Sequence, residues 1–185
     1  MFVPVQTHHP MLYLKCTAEI QKVLKLSKAS LVEAQPSTAP LGNWYINRFK
    51  VGRHNCFVFM SENTYLSFIM YQGKKPVTAT TLPNMMLTGI AQLLEMRGYS
   101  DAAIDTALTP YHSGLFAKTD SRSVLGVLND LVVCYRAMIE VGGGLQSCNL
   151  TDIILKINTM PQRTLQWPHA WDAVQAKLGN PETKH

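Results

Sequence analysis

The spacing of hydrophobic and polar residues divides the chain into a strand-rich first part and a helical second part. Residues 44–51, 55–61 and 64–71 are dense in aromatic and β-branched side chains and are separated by short polar turns, a pattern typical of consecutive β-strands. Residues 11–16 have the composition of a further short strand. The pattern predicts an antiparallel meander of three to five strands between Leu12 and Tyr71. In its last strand both alternating sets are apolar, which indicates a sheet covered on both faces or a sheet with one face buried and one used.

Hydrophobic residues then recur with helical spacing. This spacing predicts helices over residues 81–97, 101–108 and 120–141, in addition to a short one over residues 17–26. Thr119 or Asp120 is the predicted N-cap of the long helix, and Gly142-Gly143-Gly144 its end. Residues 149–159 fit a helix or a strand, with helix preferred. A last helix is predicted to start near Pro168, because proline favours the first helical position.

These elements predict an α+β fold, in which an antiparallel meander sheet in the N-terminal half packs against a helical C-terminal half. We expect one domain over residues 11–179. Residues 1–10 lack a periodic pattern and are predicted to form a flexible arm, and residues 180–185 a frayed tail.

Composition places the chain among globular proteins. With 46% hydrophobic and 16% charged residues over 185 positions, it can bury a core without disulfides or metals. The net charge is +5, which suits a nucleic acid or another polyanion but is also common in proteins without such a partner. The basic residues are scattered along the chain, so charge alone does not decide between these alternatives.

The cysteines and the longest apolar segments bear on location. The four cysteines form no C-x-x-C pair, so the sequence predicts four free thiols and neither a zinc ribbon nor a thioredoxin-type site. The first residues lack the basic and apolar regions of a secretory signal, and no apolar run reaches the length of a membrane span. We therefore expect a cytoplasmic protein with no membrane association and no bound metal.

The segment around the start of the long predicted helix carries the main candidate site. Arg122, Asn129 and Asp130 lie two turns apart and share a face, with Gly126 between them. A helix N-terminus attracts anions, and Lys118 and Arg122 add positive charge. The sequence thus predicts an anion-binding site formed by Lys118, Arg122, Asn129 and Asp130.

The alternative interpretation of the same residues is purely structural. In it Asp120 caps the helix and Arg122 pairs with a carboxylate elsewhere. Gly126 allows another backbone to pack closely, and Asn129 holds a loop. Both interpretations remain open from the sequence alone.

Catalytic motifs of the common kinds are absent from the sequence. There is no G-x-S-x-G, no H-E-x-x-H and no Gly-rich phosphate loop, so we expect no cofactor. A metal-independent nuclease could combine a histidine with basic and phenolic side chains. Arg122, His112 and His54 are the candidate catalytic residues for that hypothesis, and whether the protein is an enzyme stays open.

Three groups of residues resemble a bacterial family known only as a domain of unknown function. They are Leu41-Gly42-Asn43-Trp44-Tyr45, Phe57-Val58-Phe59 with Ser61-Glu62, and Arg122-Ser123-Val124-Leu125-Gly126 with Asn129-Asp130. The resemblance covers residues 11–171. It implies a small cytosolic protein, similar to members fused to domains linked with plasmids and mobile elements. It implies no reaction and no functional residue.

Three functions follow as hypotheses, since a fold class does not decide among them. The first is an interaction or nucleic-acid-linked protein of a toxin–antitoxin, phage-defence or mobile-element system. Its partner would be a nucleic acid, another protein or a second copy of the chain. The second is a small metal-independent enzyme such as a ribonuclease, and the third is a small-molecule-binding sensor.

Overall fold

The described part of the chain contains a five-stranded mixed sheet. In the computed structural model, which describes residues 12–111, 113–162, 165–166 and 168–182, the strands are β1 (Leu12–Cys16), β2 (Trp44–Val51), β3 (His54–Ser61), β4 (Ser67–Tyr71) and β5 (Gly114–Lys118). Their order across the sheet is β4-β3-β2-β1-β5. The antiparallel meander is confirmed for β2, β3 and β4, whereas β1 runs parallel to both β2 and β5.

The prediction of a purely antiparallel sheet in the N-terminal half is therefore wrong. After β1 the chain passes through helix α1 (Ala18–Val23) before it forms β2, and a crossover of this kind can join parallel strands. β5 comes from the second half of the chain and pairs with β1 over its whole length. Its five residues are too few for a periodic pattern, and Ala117 is the one buried among them.

Four helices cover the first face of the sheet. They are α1, α2 (Thr81–Met96), α3 (Asp101–Leu108) and α6 (Ala170–Leu178). Trp44, Phe59 and Phe68 of the strands pack against the buried sides of these helices. A Cβ added to Gly89 of α2 would lie 2.2 Å from the Phe68 ring. The helix thus approaches the sheet at a distance that only glycine permits.

Two helices, α4 (Arg122–Val141) and α5 (Leu150–Ile157), cover the second face. Side chains alternate along each strand, so Tyr45, the neighbour of Trp44, packs here against Leu128 and Tyr135 of α4. The predicted end of α4 at Gly142 is confirmed. Both faces of the sheet are therefore buried, which accounts for the doubly apolar pattern of β4.

The start of α4 differs from the prediction. Its N-cap is Ser121, whose side chain accepts a hydrogen bond from the Val124 N–H at 3.3 Å, and neither Thr119 nor Asp120 holds that position. Gly126 lies on the exposed side, with nothing within 4 Å of an added Cβ. The close approach of another backbone that the structural alternative required at Gly126 is therefore wrong.

The C-terminal elements confirm some expectations and correct one. Residues 150–157 form a helix whose N-cap is Asn149, so helix is confirmed over strand. α6 begins at Ala170, behind the N-cap His169, and not at Pro168. The predicted arm over residues 1–10 and the last residues, 183–185, lie outside the described residues. Within the predicted tail, the Glu182 N–H donates to the Gly98 carbonyl at 2.8 Å.

The first residue of β4 is paired on its outer side by a side chain. Asn158, directly after α5, accepts a hydrogen bond from the Ser67 N–H at 2.8 Å and donates one to the Ser67 carbonyl at 2.7 Å. The Tyr135 hydroxyl lies 3.0 Å from Ser67 Oγ. The amide of Asn158 thus satisfies the backbone groups of Ser67 where a further strand would otherwise do so.

Candidate ligand-binding site

A buried lysine organises a polar cluster at the end of β1. Lys15 lies between Leu14 and Cys16, whose side chains belong to the core on the first face, so its own side chain points to the face that α4 covers. The register places Lys15 opposite Tyr45 of β2 on one side and Ala117 of β5 on the other. The lysine is therefore held between two strands beneath the start of α4.

Two carboxylates neutralise the Lys15 ammonium, whose side chain is only 6% exposed. Its Nζ lies 2.5 Å from Glu62 Oε2, 2.8 Å from Asp120 Oδ2 and 3.0 Å from Asp120 Oδ1. The same Nζ lies 5.3 Å from the centre of the Tyr45 ring. A buried charge needs such partners, because burial without them is very unfavourable.

Asp120 is fixed from two further directions. The Tyr45 hydroxyl donates a hydrogen bond to Asp120 Oδ1, and the Ser121 N–H donates to the Tyr45 oxygen at 3.2 Å. Burial alone would raise the pKa of the Asp120 carboxyl, but the hydrogen bonds from Lys15 and Tyr45 and the charge of Lys15 outweigh it and hold that pKa below its ordinary value. The carboxylate is thus ionised near neutral pH.

The pKa of Tyr45 shifts in the opposite direction to that of Asp120. Burial, followed by the hydrogen bond to Asp120 and the charge of that carboxylate, raises the pKa of the Tyr45 phenol well above its usual value. The phenol therefore keeps its proton and remains a hydrogen-bond donor to Asp120. Together the two side chains form a fixed donor–acceptor pair.

The segment that precedes β2 positions this cluster. The Asn43 side chain is fully buried, accepts a hydrogen bond from the Tyr13 N–H at 3.2 Å and donates one to the Gln35 carbonyl at 2.9 Å. The Tyr111 hydroxyl donates to the Gly42 carbonyl at 2.7 Å. These bonds tie the start of β2, and with it Tyr45, to β1 and to the loop before it.

A surface cavity of about 320 Å³ opens beside Asp120. Its wall combines apolar and charged side chains from residues 28–34 and from the end of β5: Leu31, Val32, Ala34, Lys28, Glu33, Lys118 and Asp120. The Val32 N–H donates to the Phe116 carbonyl at 2.9 Å, which holds the two sides of the wall together. The Asp120 side chain is 50% exposed, so the carboxylate that contacts Lys15 also faces this cavity.

One of the four predicted anion-binding residues lines this cavity. Lys118 lines the cavity. Arg122, Asn129 and Asp130 lie on the exposed side of α4, and none of them lines that cavity. Among the described residues Arg122 forms no ion pair, so the carboxylate partner that the structural alternative gave it is not found there.

Two of the predicted catalytic residues, His54 and Arg122, lie far apart in the described part of the chain. His54 is exposed and pairs with Val51, six residues beyond Tyr45 on β2. At about 3.3 Å per residue, that is roughly 20 Å from the end of the sheet where α4 and Arg122 begin. His112 lies outside the described residues.

Sequence reasoning missed Lys15, Tyr45 and Glu62 as members of a site and assigned Asp120 only to a helix cap. A signal was present, because Lys15 is the one charged residue in an otherwise apolar strand and a charge in such a position requires a partner. The partner itself is 105 positions away in Asp120. Local spacing carries no information about a pairing of that length.

Three further properties of the described residues concern metals, cysteines and membranes. Within them, no group of three or more His, Cys, Asp or Glu side chains is arranged to hold a metal ion. The four cysteines are free thiols, as predicted. In the same part of the chain no helix combines the length and hydrophobicity that crossing a membrane requires.

The match to a known family covers this cluster. Residues 13–173 match the family described as "Domain of unknown function (DUF6933)". The chain belongs to the DUF6933 family. The resemblance seen in the sequence is thereby confirmed, and the DUF6933 match includes Lys15, Tyr45, Glu62 and Asp120 together with the cavity wall. No curated protein matches the chain.

Proposed function

We propose that the protein binds a small anionic molecule in the cavity beside Asp120. The observation that carries this proposal is the wall of that cavity, which brings Lys28 and Lys118 from distant segments around a space of about 320 Å³. Among the described residues neither lysine has an ion-pair partner. Charged donors around a concave, partly apolar surface are typical of small-molecule sites.

The protonation of the neighbouring cluster supports binding over proton transfer. A general acid or base works best when its pKa lies near the working pH. The pKa of Asp120 is lowered and that of Tyr45 is raised, so each moves away from neutrality. For Asp120 and Tyr45, these directions favour a part in ligand binding over proton transfer.

Calorimetric titration of the 185-residue chain with ethyl phosphate and with propionate tests the proposal. Losing a hydrogen bond to a charged group costs about 1.5–3 kcal/mol. We therefore expect Lys118→Ala and Lys28→Ala each to weaken binding by about tenfold or more. Lys177→Ala is the matched control, because Lys177 is exposed on α6 and does not line the cavity. Unchanged affinity in both cavity variants, or an equal loss in the control, would contradict the proposal.

A nucleic-acid partner is the second candidate. Lys22, Lys25 and Lys28 are exposed on the segment that leads into the cavity wall, and in the described part of the chain none of them is in an ion pair. This candidate would connect the protein to a toxin–antitoxin, phage-defence or mobile-element system. Contacts to several phosphates make affinity fall steeply with salt.

A labelled oligonucleotide titrated at 50 and 200 mM salt separates the two candidates. A steep loss of affinity between these concentrations, reduced by Lys22→Ala with Lys25→Ala, would support nucleic acid. Tight salt-resistant binding of a small anion, without oligonucleotide binding at the lower salt, would support the cavity. Light scattering of the same sample tests for a homodimer.

A further inference from the structure

We infer that the ligand carries a positive group as well as a negative one, and that Asp120 binds the positive group. This inference rests on the proposed function and specifies its ligand class. The cavity wall contains two acidic side chains, Glu33 and Asp120, beside its two lysines. Within the described residues, none of these four side chains pairs with another of the four.

Charges of both signs line this one small cavity without pairing with one another, and the Lys15 ammonium is shared between Asp120 and Glu62. Such a wall fits a zwitterion better than a simple anion. Two lysines alone would favour any anion, but a carboxylate on the same wall repels it unless the ligand offers a cation or hydrogen-bond donor. The Asp120 carboxylate is suited to accept a hydrogen bond from such a group. Lys15 and Tyr45 contact it from the protein side, while half of its side chain remains exposed to the cavity.

The volume of the cavity suits a small molecule. At about 320 Å³ it lies at the lower end of the range of small-molecule pockets. Amino acids and aminoalkyl phosphates are small molecules that carry both charges. The ligand class is therefore a small zwitterion with an ammonium group at one end and a carboxylate or phosphate at the other.

Lys15 and Tyr45 are positioning residues in this arrangement. Lys15 is almost completely buried and Tyr45 is fully buried, so both act on a ligand through Asp120. The Tyr45 hydroxyl orients one carboxylate oxygen and Lys15 contacts both. Tyr45→Phe should therefore change the selectivity of the site for cationic groups, which a general loss of stability would not do.

Two matched pairs of probes test the inference by calorimetry on the 185-residue chain. Phosphoethanolamine is compared with ethyl phosphate, and β-alanine with propionate, because each pair differs by the ammonium group alone. We expect the zwitterion to bind about tenfold more tightly in at least one pair. Asp120→Asn should abolish that preference and leave the simple anion bound as well or better, since it removes a repelling charge. Tyr45→Phe should reduce the preference.

A control variant and a test of folding distinguish the possible outcomes of this experiment. Asp105→Asn, on the exposed side of α3, should leave every affinity unchanged, and circular dichroism verifies that Asp120→Asn and Tyr45→Phe are folded. Equal binding within both pairs, or a preference that survives Asp120→Asn, would overturn the zwitterion inference while the anion site stands. Failure of all four probes to bind the wild-type protein would overturn both proposals.

Discussion

Replacing Lys15 by methionine should destabilise the protein through the two carboxylates that it leaves behind. Methionine keeps most of the length and the apolar part of the side chain, so the main change is the loss of the ammonium. Removing one partner of a buried ion pair costs about 3–5 kcal/mol. The side chains of Glu62 and Asp120 are 21% and 50% exposed. Hydration of these two carboxylates therefore offsets part of the cost of losing the ammonium. We expect the free energy of unfolding to fall by about 2–3 kcal/mol.

Urea unfolding measures this change. In a chain of this length the same loss lowers the midpoint of thermal unfolding by roughly 5–10 °C. Lys177→Met, at an exposed position of α6, is the matched control and should change stability by less than about 0.5 kcal/mol. Adding Asp120→Asn and Glu62→Gln to Lys15→Met should recover about half of the loss, because the uncompensated charges are then removed.

The pH dependence tests the electrostatic cause. In the wild-type protein the pKa of Asp120 is lowered, so its stabilising contribution is present above the unfolded value of about 3.9 and is lost as the pH falls through the folded value. Lys15→Met removes a cation that lowers this pKa. Protonation of Asp120 near pH 4 therefore removes the uncompensated charge that destabilises the variant. The stability difference should shrink from pH 7 to pH 4. A difference below about 0.5 kcal/mol at pH 7, or one that is constant with pH, would refute the reasoning.

Three further predictions concern the scaffold, each measured by urea unfolding. Gly89→Ala should destabilise by at least about 2 kcal/mol, because its Cβ would lie 2.2 Å from Phe68, whereas Gly126→Ala, with open space around it, should stabilise by about 0.5–1 kcal/mol. Opposite signs at these two helix glycines are the expected result, and equal effects would contradict it. Asn158→Ala should destabilise by about 2 kcal/mol through the backbone groups of β4 that it leaves unpaired; a loss below about 0.5 kcal/mol would show that water replaces the amide. Ser121→Ala should cost about 1 kcal/mol as the loss of the α4 cap, and no change would mean that this cap is not needed.

Local patterns predicted the elements that form through short-range contacts. β2 appears at the predicted residues 44–51, because its aromatic and β-branched composition and the hairpin to β3 are both properties of adjacent segments. Parallel pairing depends on segments far apart in the chain. β5 joins β1 across about a hundred positions, and its short Gly-Leu-Phe-Ala-Lys segment has no periodicity that would identify it as a strand.

The candidate site was less predictable than the fold for the same reason. Lys118 belongs both to the predicted anion site and to the cavity wall, because it lies where β5 meets α4. The sequence pattern predicts Asp120 as a helix cap, but Ser121 holds that position. The pattern gives no sign of the contact between Asp120 and Lys15. The position of Arg122 at a helix start predicts a role in anion binding, yet its exposed side chain does not line the cavity.

A contact at each edge of the sheet bears on how this protein behaves when crowded with copies of itself. Unpaired strand edges serve as templates on which another chain can add a strand and begin an aggregate. Here Asn158 occupies the backbone groups of Ser67 at the β4 edge, and Val32 occupies the Phe116 carbonyl at the β5 edge. A strand from a second chain would first have to displace these groups. These two contacts therefore oppose aggregation by strand addition at the sheet edges.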